Sequence, residues 1–170
     1  PLAFRQSFFK ITFPVIINES FWGLGQVLYN VAFAMVGTEA TAAVQVVSAI
    51  LNIAFVIVRG LSNACTIMLG NGIGRGEMDT IYPYAIRFLK LGAYFGLAFG
   101  ALLALTPPIT LGMFQNLSPD VYALAHRLLL FMAFFYVLKA INSIIIVGVL
   151  RGGSDTKYSM YLEMAAVWLV

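Results

Sequence analysis

Long apolar runs, separated by short polar, glycine-rich or proline-rich segments, divide the chain. A run of about 20 apolar residues is long enough to cross a bilayer as one helix. The pattern predicts an all-α membrane protein in which short links force successive transmembrane helices into an antiparallel bundle. Four complete spans are predicted, followed by the start of a fifth that is cut off: residues 11–36, 42–69, 82–105, 119–150 and 157–170.

Local signals mark the ends of several predicted helices. Residues 118–120 read Ser-Pro-Asp, which fits an N-cap followed by proline at the first helical position and an acid in the first turn. Pro14 is placed in the first turn of the first helix, where its missing N–H costs little. The glycine-rich segment 70–79 is predicted to be a connector or a helix C-cap, because it lacks the preceding strand and the ending of a phosphate-binding loop. Residues 109–117 are predicted to form a loop.

Two predicted helices carry faces suited to packing. In the third span Gly92, Gly96 and Gly100 recur every four residues, which lets another helix backbone approach closely. In the second span polar side chains recur about every 3.5 residues and form one stripe. The stripe consists of Gln45, Ser48, Asn52, Arg59, Asn63 and Thr66. Hydrogen bonds between helices account for its neutral members, whereas Arg59 is a candidate for a functional role.

A single acid, Glu19, interrupts the apolar run of the first span. An ionisable side chain at hydrocarbon depth costs at least ~2.5 kcal/mol, so it usually marks a pathway or has a partner. Arg59 and Lys139 lie at predicted depths of ~16 and ~18 Å from the same side, against ~12 Å for Glu19. The hypothesis is that Glu19 neighbours Lys139 or Arg59, and that protonation or ion binding at Glu19 changes this contact. The alternative is that both bases extend towards the headgroups.

Composition supports the membrane assignment and excludes other classes. Hydrophobic residues make up 61% of the chain and charged residues only 10%, against about 25% in soluble domains. Cys65 is the one cysteine, so no intramolecular disulfide can form. The net charge of +3 is small and forms no basic patch, so no nucleic-acid partner is expected. The sequence has no nucleophile–base pair, metal cluster or nucleotide motif, so neither an enzyme nor a catalytic cofactor is predicted.

Basic residues in the links gather on one side of the predicted bundle, because the links 37–41 and 106–118 contain no Lys or Arg. The positive-inside rule therefore places residues 1–10, 70–81 and 151–157 in the cytoplasm. The chain starts without methionine and ends within a short apolar run. It is therefore interpreted as a piece of a longer multi-pass protein of the plasma (inner) membrane, with the lipid bilayer as its surroundings.

Three motifs occur together in residues 14–25 (Asn-Glu, then Trp-Gly-Leu-Gly), 37–46 (Gly-Thr-Glu-Ala, then Ala-Val-Gln-Val) and 150–156 (Leu-Arg-Gly-Gly-Ser-Asp-Thr). In order and spacing they resemble the start of the carboxy-terminal half of the multidrug and toxic-compound extrusion (MATE) family. The resemblance covers essentially all of residues 1–170. It implies a partial C-terminal lobe of a twelve-helix transporter, with the N-terminal lobe of the same chain as its missing partner.

The resemblance also implies a function. Family members export organic, often cationic and aromatic, compounds in exchange for protons or sodium by alternating access. Glu19 matches the family's seventh-helix acid, which is tied to cation coupling or substrate binding. The second acid that some members carry on the tenth helix is absent from residues 135–142, where Lys139 is the only charge. This departure disfavours sodium and favours proton coupling through Glu19 and Lys139, although both ions stay open; no other cofactor is implied.

A substrate cavity is predicted in which a carboxylate supplies charge and aromatic faces stack on flat organic cations. Its predicted lining is Glu19, Trp22, Tyr29, Asn52 and Tyr136. The full set of candidate ion-coupling and substrate residues adds Asn18, Arg59, Lys139 and Asn142. Two alternatives stay open for the function. One is a flippase for lipid-linked oligosaccharides from the same superfamily, and the other is a non-transporting membrane scaffold or channel subunit.

Overall fold

The computed structural model of the protein describes residues 2–114 and 117–169, and this part of the chain is helical with no strands. The predicted all-α class is therefore confirmed. The elements in chain order are α1 (Leu2–Val36), α2 (Thr38–Arg75), α3 (Met78–Leu105), α4 (Pro107–Gly112), α5 (Pro119–Ser143), a π-helix (Ile144–Leu150) that continues α5, and α6 (Thr156–Trp168).

Three helices of the described chain are long and apolar enough to cross a membrane. They are Thr38–Arg75, Met78–Leu105 and the continuous helix Pro119–Leu150. The second, third and fourth predicted spans lie within them. The first predicted span, 11–36, lies within α1, which does not meet the same criterion, so the count of four complete spans stays a prediction.

Several predicted helix ends were wrong. The α1 helix begins at Leu2, so Pro14 lies inside it and not in its first turn. Nothing between Leu2 and Phe13 breaks a helix, because this segment contains neither glycine nor proline. The predicted loop 109–117 is partly wrong too, because the first residues of this segment belong to α4.

The predicted helix caps are found in the structure. Ser118 caps α5, its Oγ accepting a hydrogen bond from the Val121 N–H at 3.3 Å. The glycine-rich segment contains a C-cap at Gly76, whose φ of 75° lies in the left-handed region that glycine favours. The α2 helix nevertheless extends to Arg75, which leaves only Gly76 and Glu77 between α2 and α3. The glycines before Gly76 therefore lie within the helix, and α2 ends where Gly76 adopts a positive φ.

The glycine face of α3 packs against α5, as predicted. A Cβ atom at Gly96 would lie 2.9 Å from the Cα of Val137, and one at Gly100 would lie 2.9 Å from the carbonyl oxygen of Ala133. Both neighbours are backbone atoms, so only glycine allows the two helices to approach this closely.

Helices α2 and α5 form the centre of the bundle. The main core contains Phe55 and Val58 of α2 together with Leu129 and Tyr136 of α5. The Phe55 and Tyr136 rings meet edge to face, with centroids 6.0 Å apart. This contact is one of those that fix how α2 and α5 face each other.

Helix α6 folds back alongside α1 and runs in the same direction. The Thr156 hydroxyl donates to the Ile11 carbonyl oxygen at 3.1 Å, and further along both helices Asn18 contacts Glu163. Parallel packing of α1 and α6 follows from this order of contacts. This packing places Glu19, the one acid of the first predicted span, at the same height as Glu163 of α6.

Candidate functional site

One arginine joins two acidic side chains from two different helices. Arg151 Nη1 donates to Glu19 Oε1 at 2.8 Å, and Arg151 Nη2 donates to Glu163 Oε2 at 2.9 Å. The side-chain amide of Asn18 donates to the same Glu163 oxygen. We refer to Asn18, Glu19, Arg151 and Glu163 as the arginine network. Each terminal nitrogen of the guanidinium binds a different carboxylate, so the arginine holds α1 and α6 together.

The arginine network is partly enclosed by the described residues. Asn18 is 3% exposed, and the Arg151 side chain is 16% exposed. The Glu19 side chain, by contrast, is 53% exposed. Two carboxylates around one guanidinium leave a formal charge of minus one.

The turn between the π-helix and α6 positions this network. Gly152 packs on α2, where an added Cβ would lie 3.0 Å from the Cα of Thr66. Ser154 adopts a positive φ of 64°, and Asp155 then caps α6 by accepting a hydrogen bond from the Tyr158 N–H. This tight reversal starts α6 beside α1. Glu163 follows two helical turns later, within reach of Arg151.

Arg151 lies one residue beyond the span Pro119–Leu150. Burial lowers the pKa of its guanidinium, but hydrogen bonds and charge attraction from Glu163 and Glu19 outweigh burial and raise this pKa overall. An arginine is already protonated up to about pH 12. Since a raised pKa keeps the charged form at every lower pH, Arg151 stays charged across the working range.

The hypothesis that Glu19 pairs with Lys139 or Arg59 is wrong. In the described part of the chain, the only ion pairs are the two made by Arg151. The sequence had placed Arg151 among the basic residues that orient the chain and in a family motif, but had given it no partner. Depth along the helix axis was used to choose partners for Glu19, but depth does not say towards which neighbour a side chain points.

Arg59 and Lys139 instead form a second cluster around one aromatic ring. The Arg59 Cζ lies 5.7 Å from the centroid of Phe55, and the Lys139 Nζ lies 4.9 Å from it. The Arg59 Nη2 donates to Asn52 Oδ1 at 3.2 Å. We refer to Arg59 and Lys139 as the cation pair. Two positive charges from α2 and α5 thus lie near the same ring within the predicted hydrocarbon depth.

The structure removes Tyr136 from the predicted five-residue cavity, and the cavity itself stays a prediction. Tyr136 is only 1% exposed and packs in the core, so it cannot line an open cavity. Its hydroxyl has no hydrogen-bond partner within the described residues. Glu19 belongs to the arginine network and Asn52 to the second cluster. Trp22 and Tyr29 lie about half exposed on α1, and Asn142 lies exposed on α5, without a described contact to either cluster.

Sequence reasoning missed three important residues: Arg151, Glu163 and Phe55. Arg151 lies in one of the three motifs that carry the family resemblance, and this was a signal of a role beyond orientation. Glu163 is an acid within an apolar run, as Glu19 is, and the same argument applies to it. Phe55 gave no signal, because one phenylalanine among many apolar residues does not stand out.

A bundle of long apolar helices that keeps charged clusters within its span is a multi-pass membrane protein, and such charges are typical of transport proteins. The sequence model of the MatE family matches residues 14–170. The chain therefore belongs to the MatE family, as its motifs indicated.

Similar curated proteins carry multidrug resistance names. "Probable multidrug resistance protein NorM" of Rhizobium meliloti (strain 1021) is 32% identical over 148 residues, which cover 83% of this chain and 32% of the relative. "Multidrug resistance protein MdtK" of Yersinia enterocolitica is 30% identical over 141 residues, which cover 79% of this chain and 29% of the relative. The chain thus spans about a third of the length of these relatives. No solved structure matches the chain significantly.

Proposed function

We propose that the complete protein is a secondary-active antiporter that exports organic compounds, including aromatic ones, in exchange for protons by alternating access. The observation that carries the proposal is the arginine network, in which Arg151 bridges carboxylates of α1 and α6. Membership of the MatE family and the multidrug resistance names of the relatives support the export of drugs. The rest of the transporter lies in the part of the relatives that this chain does not cover.

The arginine network couples proton binding to helix position. Protonation of Glu163 or Glu19 removes one of the two charge-assisted hydrogen bonds to Arg151 and weakens the contact between α1 and α6. Deprotonation restores this contact. Two states that differ in proton occupancy and in helix contact are what an exchanger needs, because the proton then changes the equilibrium between them.

A proton fits this network better than a sodium ion. Sodium needs several oxygen ligands, but Arg151 already binds one oxygen of Glu19 and one oxygen of Glu163. The fixed guanidinium charge also repels a second cation at this distance. A proton needs only one carboxylate oxygen.

The test uses the full-length protein in liposomes, with export of the cationic dye ethidium and of the anionic dye carboxyfluorescein each driven by either an imposed proton gradient or an imposed sodium gradient. We expect the proton gradient alone to drive export. We expect Glu163→Gln and Glu19→Gln each to reduce gradient-driven export at least about tenfold, because each removes a titrating carboxylate. Glu39→Gln, which changes an exposed acid at the start of α2, is the control and should export normally. Full export by both network variants would refute the coupling role.

A flippase for lipid-linked oligosaccharides is the second candidate, and the cation pair favours it. Two positive charges at mid-span are suited to a lipid pyrophosphate. In liposomes that hold a fluorescent lipid pyrophosphate, a flippase moves the lipid between leaflets without an ion gradient, whereas the proposed antiporter does not.

The same proposal includes a location and an orientation. The chain lies in the inner membrane, and residues 1–10, 70–81 and 151–157 face the cytoplasm. The distribution of Lys and Arg between the links supports this orientation.

A further inference from the structure

We infer that the cation pair, with the ring of Phe55 between α2 and α5, is a binding subsite for an organic anion: a carboxylate attached to a flat apolar ring. The inference rests on the proposed function in one point: it treats this anion as a compound that the protein transports. It specifies a substrate class that differs from the cationic one expected from the sequence.

The first step is the balance of charge. Both members of the cation pair lie within 6 Å of one ring centroid, and neither has an acidic partner at ion-pair distance in the described part of the chain. The acid that was expected to neutralise them, Glu19, is bound to Arg151. The face that α2 and α5 present around Phe55 is therefore positive, and the cost of two like charges at this depth is relieved by an anion.

The second step is the supply of hydrogen-bond donors. Arg59 has five N–H donors, and its one described side-chain hydrogen bond goes to Asn52. Lys139 has three donors and no hydrogen bond to a described residue. Asn52 accepts from Nη2, and no described side-chain hydrogen bond uses the remaining N–H groups of Arg59, which can bind a carboxylate.

The third step is the apolar half of the ligand. The Phe55 side chain is held in the core by its edge-to-face contact with Tyr136, so it does not have to be ordered when a ligand binds. An aromatic acid can place its ring against apolar surface beside Phe55 and its carboxylate between the two cations. A cationic ring compound of the same shape would meet two positive charges instead.

The experiment compares two probes of the same shape and opposite charge, 2-naphthoate and 2-naphthylmethylammonium, by calorimetric titration of the purified full-length protein at pH 7. We expect naphthoate to bind at least about tenfold more tightly than the amine. Arg59→Gln and Lys139→Gln should each weaken naphthoate binding about tenfold and leave binding of the amine equal or stronger. Lys157→Gln, which removes an exposed positive charge outside both clusters, should leave both affinities unchanged.

Charge-conserving variants separate binding from folding. Arg59→Lys and Lys139→Arg should each bind naphthoate more tightly than the glutamine variant at the same position, since a positive charge and donors remain. Equal affinity for the two probes, preference for the amine, or unchanged naphthoate binding in both glutamine variants would overturn the inference. If an acid from another part of the full-length protein neutralised the cation pair, the unmodified protein would not prefer naphthoate. That result would also overturn the inference. Binding is measured without an ion gradient. The binding result therefore does not depend on whether proton-coupled export is observed.

Discussion

At the residue scale, the function proposed for the chain depends on Arg151. Its guanidinium neutralises one of two facing carboxylates and binds both, so its removal leaves Glu19 and Glu163 without their common partner. The cost of breaking a fully buried ion pair is about 3–5 kcal/mol. Half of the Glu19 side chain is exposed, so the cost here is smaller.

Replacement of Arg151 should therefore affect both stability and transport. We expect Arg151→Gln to destabilise the full-length protein by about 1–3 kcal/mol and to abolish proton-driven export. Arg151→Lys should retain part of both, because an ammonium keeps the charge but cannot bind two carboxylates with a planar fork. Thermal unfolding in detergent and dye export measure the two effects. Arg127→Gln, an exposed arginine on α5, serves as control, and normal export by Arg151→Gln would contradict the role of the network.

At the element scale, helix packing depends on positions where a side chain does not fit. The α3–α5 contact uses Gly96 and Gly100, and the π-helix packs on α2 at Gly148, where an added Cβ would lie 3.0 Å from the Cys65 side chain. The Thr66 hydroxyl also donates to the Val147 carbonyl oxygen at 2.7 Å. Close contacts on both sides of the long helix Pro119–Leu150 fix its rotation, and Arg151 directly follows it.

Alanine at Gly96 tests the close contact between α3 and α5. The added methyl group would meet the Cα of Val137 at 2.9 Å, so the two helices must separate. We expect Gly96→Ala to destabilise the full-length protein by about 1–3 kcal/mol, measured by thermal unfolding in detergent. Gly60→Ala is the matched control, because nothing lies within 4 Å of its added Cβ and alanine favours the helix by up to about 1 kcal/mol. Equal effects of the two substitutions would argue against the packing explanation.

At the scale of the whole molecule, the charged side chains form two clusters, whereas the sequence predicted one cavity. The arginine network lies between α1 and α6, and the cation pair lies between α2 and α5. Under the two proposals above, ion coupling and substrate binding use separate clusters. The helix Pro119–Leu150 carries Lys139 and ends next to Arg151, so it has a residue of one cluster within it and a residue of the other directly after it.

The orientation of the whole chain can be measured by labelling introduced cysteines. We expect Lys157→Cys to react with a membrane-impermeant maleimide only in inverted vesicles, and Glu39→Cys to react only in intact cells. The positive-inside rule places these two positions on opposite sides of the membrane. The background protein should carry Cys65→Ala and no other cysteine. Labelling of both positions from the same side would contradict the proposed topology.

Much of the fold could be predicted from the sequence, but the pairing of charges could not. The glycine face of α3 and the Ser118 cap are local patterns, and the structure confirms both. Arg151 and Glu19 are separated by 132 residues along the chain. Their meeting requires α6 to fold back parallel to α1, and neither periodicity nor depth predicts that contact. Glu19 was therefore assigned the wrong basic partners.

By itself, the sequence determined that this chain is an all-helical membrane protein, where its long apolar helices lie, and that charged side chains occur within them. These properties are local, because the transfer of apolar side chains from water and the capping of helix ends depend on residues close in sequence. Only the tertiary structure decided that Glu19 and Glu163 share Arg151, whereas Arg59 and Lys139 share the ring of Phe55. The physical reason is that the rotation of each helix about its axis is set by packing between distant segments, and this rotation decides which charges face each other.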